Sequence, residues 1–60
     1  MDDLEAIEII ESKEDSTRDE EVAAWQQLIN TGTCWDLQGF YGRTAIRLIE
    51  EGVCHEASQR

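Results

Sequence analysis

The chain has 60 residues, 40% of them hydrophobic, with 14 Asp and Glu against 5 Lys and Arg and a formal net charge of −9. That length is one small domain and excludes a multidomain enzyme. The acidity argues against a nucleic-acid-binding module, which needs clustered Lys and Arg for its phosphate contacts.

From the N-terminus, residues 3–12 predict a short amphipathic helix. At helical spacing Ala6, Ile7, Ile9 and Ile10 fall on one broad face, with Leu4 at its margin. Glu5, Glu8 and Glu11 form a ladder at i, i+3 spacing on the other face, and Asp2 with Glu5 is a capping pair. So short a helix needs something to dock on. The polar run Glu11 to Glu21 reads as a linker or an exposed join between helices. Thr17 followed by Glu20 is a capping-box pattern that opens a second helix, with Val22, Trp25, Leu28 and Ile29 on its core stripe. Asn30-Thr31-Gly32 ends that helix, Gly32 supplying a left-handed residue. Residues 33–38 predict one or two helical turns, with Thr33 and Asp36 at cap spacing, Gly39 as the stop and Trp35, like Trp25, in the core. Phe40-Tyr41-Gly42 follows as a tight connection. A third full helix runs from Arg43 to Glu51, with Ala45, Leu48 and Ile49 inward and Ile46 flanking. Gly52 stops it, Val53 folds back onto its end, and residues 55–60 read as a frayed tail.

The predicted fold is therefore all-α: a small three-helix domain plus one short helical turn, with an acidic N-terminal helix. The charge divides the chain. Residues 1–21 hold ten acids and two bases, for −8, and residues 22–60 carry −1 together with all four aromatics and both cysteines. The expected organisation is an acidic arm over 1–21, a compact helical unit over 22–54 and a tail over 55–60.

The run Ala24-Trp25-Gln26-Gln27-Leu28-Ile29-Asn30-Thr31-Gly32, then Trp35-Asp36-Leu37-Gln38-Gly39-Phe40-Tyr41-Gly42-Arg43-Thr44-Ala45, then Leu48-Ile49-Glu50-Glu51-Gly52-Val53-Cys54 resembles short uncharacterised bacteriophage-encoded proteins. The resemblance covers residues 22–55 and leaves the acidic arm outside. It implies a viral origin and a host cytoplasm, and it carries no activity to any residue.

Catalytic chemistry is not expected. His55 is the only histidine, no Gly-rich loop precedes a Lys, and 60 residues leave little room for an enclosed pocket. Cys34, Cys54 and His55 lack a C-x-x-C and a second His, so a four-ligand zinc site is one donor short. Both cysteines read as small buried apolar residues, with a stapling disulfide or an intersubunit zinc as alternatives. No cofactor is expected, and no apolar run reaches the roughly 18 residues of a membrane span.

What remains is binding. The carboxylate ladder presents negative charge as a nucleic-acid backbone does and suits a basic groove on a host protein, such as RNA polymerase or a defence nuclease. The expected contact residues are Glu5, Glu8 and Glu11 with Ile7 and Ile10 on the arm, and Phe40 and Tyr41 on the aromatic connection. The isoleucine face also suits a homodimer. The alternative is a helix-turn-helix-like regulator reading DNA with Arg43, Thr44 and Arg47. Against it, Arg47 is placed to pair with Glu50 or Glu51 on its own helix.

Overall fold

A computed structural model describes residues 1–12, 16–37 and 39–57 of the chain. Among them four helices follow in order: α1 (Asp3–Glu11), α2 (Arg18–Thr31), α3 (Thr33–Asp36) and α4 (Gly39–Glu50). No strand interrupts them among the described residues, so the domain is all-α as the periodicity predicts. The middle of the polar join and the last three residues of the expected frayed tail lie outside the described residues.

The helix ends follow their local chemistry. Asp2 caps α1 by accepting from the Glu5 N–H at 2.9 Å. The capping box at α2 is complete. Thr17 Oγ1 accepts from the Glu20 N–H, and Glu20 Oε1 accepts from the Thr17 N–H, each at 3.1 Å. Gly32 closes α2 at φ +82°. Beyond α4, Gly52 takes φ +81°, its N–H donates to the Ile49 carbonyl at 3.1 Å, and the Val53 N–H donates to Leu48 at 2.9 Å. This pair of bonds is a Schellman motif, and it folds Val53 back toward the helix.

Two glycines in α4 do something else. Gly39 begins the helix and Gly42 lies inside it, neither at positive φ, so α4 starts four residues before the expected Arg43. Phe40, Tyr41 and Gly42 are helical rather than a connection. The reason is the core face: Tyr41, Ala45 and Leu48 follow at i, i+4 and i+7, a stripe that requires the extra turn. Substitution by alanine is expected to act with opposite signs at Gly52 and Gly42. Gly52→Ala meets nothing within 4 Å but holds a left-handed φ, and should lose roughly 1 kcal/mol. Gly42→Ala places its Cβ 3.7 Å from Trp35, an ordinary contact, and should gain up to about 1 kcal/mol from helix propensity. Urea denaturation followed by circular dichroism checks both.

The core is one cluster drawn from every part of the fold. Ala6 and Ile10 of α1 join Ala24, Trp25, Leu28 and Ile29 of α2, Cys34 of α3, Tyr41 and Ala45 of α4, and Cys54. The helix that needed a docking surface finds it on α2, so the core runs across the expected boundary at residue 21. Both cysteines are buried and free, the apolar role expected for them, and burial pushes both thiols up from their ordinary range.

Two expectations change here. Trp35 is 47% exposed rather than core. In the single turn of α3, Cys34 takes the inward position, and Trp35 lies instead over the backbone of Gly42. The tail also does not fray at its first residue. The Gln26 side-chain amide donates to the His55 carbonyl at 2.9 Å and accepts from the His55 N–H at 2.8 Å, a two-point clamp onto α2.

Candidate functional site

The carboxylate ladder of α1 splits into two environments. Glu5 and Glu8 are exposed and, with Glu20 from the start of α2, surround a shallow depression floored by Ile9. The Ser16 hydroxyl reaches the Ile9 and Ser12 carbonyls at 3.1 and 3.2 Å, which ties the join to the end of α1 beside these acids. Glu11 turns the other way and accepts from the Tyr41 hydroxyl at 2.8 Å.

Burial therefore removes part of the expected contact set. Ile10 is 3% exposed and Tyr41 6% exposed, so neither is available to a partner. Ile7 is partly buried against the same core. The isoleucine face is covered by α2, which corrects its expected use for a homodimer. Of the two consecutive aromatics, Phe40 is the one left 45% exposed. Its ring stands 5.0 Å from Tyr41 and 6.2 Å from Trp25, both edge-on. Since Tyr41 holds Glu11, one residue links this exposed aromatic to the end of the acidic helix.

Asp3 is a residue that sequence reasoning passed over. It accepts from Gln27 Nε2 at 3.2 Å and from Thr31 Oγ1 at 3.1 Å through Oδ1, and from the Thr33 hydroxyl through Oδ2. These bonds fasten the start of α1 to the end of α2 and the start of α3. Thr33, expected as the cap of α3, is instead its first helical residue, with Gly32 in the cap position. The available signal was position: Asp3 precedes Ile7 and Ile10 by four and seven residues, on the buried side of α1.

The two hydrogen-bonded acid–hydroxyl contacts set opposite pH limits. The Thr33 hydroxyl, with Gln27 and Thr31, holds the Asp3 carboxyl below its ordinary range against a smaller opposing effect of desolvation. A lowered folded-state value stabilises above the unfolded carboxyl's pKa and is lost as pH falls through the folded one. Burial, then the Glu11 carboxylate, pushes the Tyr41 phenol above its ordinary range. That contribution is complete below the unfolded phenol's pKa and is lost as pH rises through the folded one. Asp3→Asn should therefore flatten the acid limb of a plot of stability against pH, and Tyr41→Phe the alkaline limb. Denaturation midpoints across the pH range check both.

The alternative DNA-reading set also lies together. Arg43, Thr44 and Arg47 line the same side of α4 as Phe40. Arg47 Nε stands 3.7 Å from Glu51 one turn on, the pairing expected at i+4, between two exposed side chains. Among the described residues no group of three or more His, Cys, Asp or Glu is arranged to hold a metal ion. No described helix is long and apolar enough to cross a membrane.

A further concavity was not expected. Trp35 and Ile46, 47% and 49% exposed, wall an open groove of about 370 Å³ with Ile49 and the buried Ile29. Glu50 and Glu56 also line it, with no Lys or Arg among the described lining residues.

A family model described as a domain of unknown function (DUF7417) matches residues 1–59. The matched span thus includes α1 along with the helices it packs on. No curated protein and no solved structure matches the chain.

Proposed function

We propose, for a chain that belongs to the DUF7417 family of domains of unknown function, a non-catalytic role as an acidic binding module. Its partner is a macromolecule with a basic groove, and its effect on that partner is inhibition or modulation. The observation that carries this reading is the outer face of α1, where Glu5 and Glu8 stand exposed beside Glu20, with no Lys or Arg among the described residues that line the same depression. A rigid face of one sign attracts an opposite surface over long range and speeds encounter. The fold supports that use because α1 is fixed on two sides, by the Ile10 side chain in the core and by the Asp3 bonds to α2 and α3. Phe40, exposed at the Glu11 end of the helix, supplies an apolar anchor of the kind that interfaces favour. The resemblance to phage-encoded proteins supports a bacterial host's nucleic-acid enzyme as the partner, in the host cytoplasm.

Capture from a bacterial lysate tests this, with captured proteins identified by mass spectrometry at low and high salt. The wild-type chain is expected to retain a nucleic-acid-binding enzyme that high salt and added duplex DNA both release. Glu5→Lys with Glu8→Lys, which leaves every core residue in place, should abolish that retention. Retention unchanged by the charge reversal would overturn the acidic-face reading. Retardation of duplex DNA by the chain itself, lost on Arg43→Glu, would replace it with the DNA-reading alternative.

A further inference from the structure

The groove between α3 and α4 is a second surface, built from different residues than the acidic face of α1. Its composition is unusual for an exposed position in so small a domain. Trp35 and Ile46 each leave nearly half their surface in water, side by side, over a floor of Ile29 and Ile49. Single exposed apolar residues are ordinary, whereas here two of them share one concavity with Ile29 and Ile49. The indole of Trp35 lies beside Gly42 of α4, 3.7 Å from where a Cβ would stand, which is ordinary van der Waals distance.

The rim decides what enters. Glu50 and Glu56 edge the groove, both are exposed, and neither forms an ion pair among the described residues, in contrast to Glu51, which holds Arg47. A groove with an apolar floor and two exposed carboxylates beside it complements a cationic, amphipathic segment. A second copy of the chain fits less well, because a net charge of −9 on each copy opposes their approach and the rim would meet like charge.

We propose that the Trp35–Ile46–Ile49 groove docks a basic amphipathic helix of a protein partner. The helix seats apolar side chains at i and i+4 against the indole and the isoleucines, and turns Lys or Arg toward Glu50 and Glu56. Specificity comes from the rim, since the apolar floor alone accepts any hydrophobic helix and the carboxylates reject an acidic one. The site shares no residue with Glu5, Glu8 or Phe40, so it stands or falls separately from the acidic-face reading.

Nuclear magnetic resonance titration of the full chain tests it. The probe is a synthetic helical peptide with leucines at i and i+4 flanked by lysines, and its counterpart carries glutamates in place of the lysines. The Trp35 indole N–H and the Ile46 and Ile49 methyl signals are expected to move with the lysine peptide while the Trp25 indole stays in place. The glutamate peptide should bind roughly tenfold or more weakly. Glu50→Gln with Glu56→Gln, both at exposed positions, should remove most of the preference between the peptides. Ile46→Glu should abolish binding while leaving the circular dichroism spectrum unchanged. Equal response to both peptides, shifts confined to α1, or no shift at all would overturn the proposal. So would movement of the Trp35 signal with protein concentration alone, which would identify a second copy as the occupant.

Discussion

Replacing Ile10 by alanine is expected to leave the protein largely unfolded at ordinary temperature. The side chain is 3% exposed and sits in the same cluster as Leu28 and Ile29, both essentially inaccessible to solvent. Truncating a buried isoleucine to alanine costs about 2–5 kcal/mol, the transfer of the lost carbons plus the cavity they leave. A single core in a chain of this size supplies only about 3–5 kcal/mol in all. One substitution in the acidic helix therefore competes with the stability of the whole domain. Leu4→Ala is the control on the same helix, since Leu4 is 67% exposed and should shift stability by no more than about 0.5 kcal/mol. Urea denaturation of both variants separates a helix that belongs to the core from an appended arm. An arm would leave the midpoint of Ile10→Ala where the unaltered chain has it.

The contrast with the expected arm over residues 1–21 shows what kind of information was readable. The ends of α1 and α2 and the C-terminal end of α4 were legible because their chemistry is local. Thr17 and Glu20, or Gly52 and Val53, meet their partners within a few residues, so spacing alone identifies them. The apolar face of α1 was legible for the same reason. Its destination was not, because net charge summed over a segment reports what faces water and says nothing of what the opposite face touches. Ala6 and Ile10 are enough to bring α1 into the core despite the −8 carried by residues 1–21.

Contacts across long separations were the part hidden from spacing. Tyr41 reaches Glu11 and Asp3 reaches Thr33 over thirty residues, and each link changes the role of both its ends. Glu11, although exposed, becomes the acceptor of the Tyr41 hydroxyl. Tyr41 becomes core, which leaves Phe40 as the exposed member of the consecutive pair. Glu5, Glu8 and Phe40 stay exposed as their spacing suggests, whereas Ile10, Tyr41 and Glu11 each have a partner within the chain that spacing does not reveal.

Removing the two tryptophans one at a time should give very different outcomes, although residue type alone places both in the core. Trp25 is 8% exposed, lies in the middle of α2, and packs its ring 5.6 Å from Tyr41 and 6.2 Å from Phe40. Trp25→Ala should cost roughly 3–5 kcal/mol, from the cavity and from the loss of its aromatic neighbours. That equals the full stability a core of this size provides, so no cooperative unfolding transition should remain. Trp35→Ala removes a side chain already half in water, whose neighbours on α4 are the backbone of Gly42 and the groove residues. Its cost should be about 1 kcal/mol or less, and the folded population should persist. The difference follows from helix length. α2 is long enough to bury a complete stripe, whereas the one turn of α3 buries Cys34 and has no second inward position for the next residue. A large aromatic kept at a position that contributes little stability is better explained by what it contacts outside the chain. Trp35→Ala should therefore keep a native unfolding transition in urea while losing the lysine-peptide response of the Ile46 and Ile49 methyls. Loss of the transition itself would instead return Trp35 to the core, where its residue type placed it.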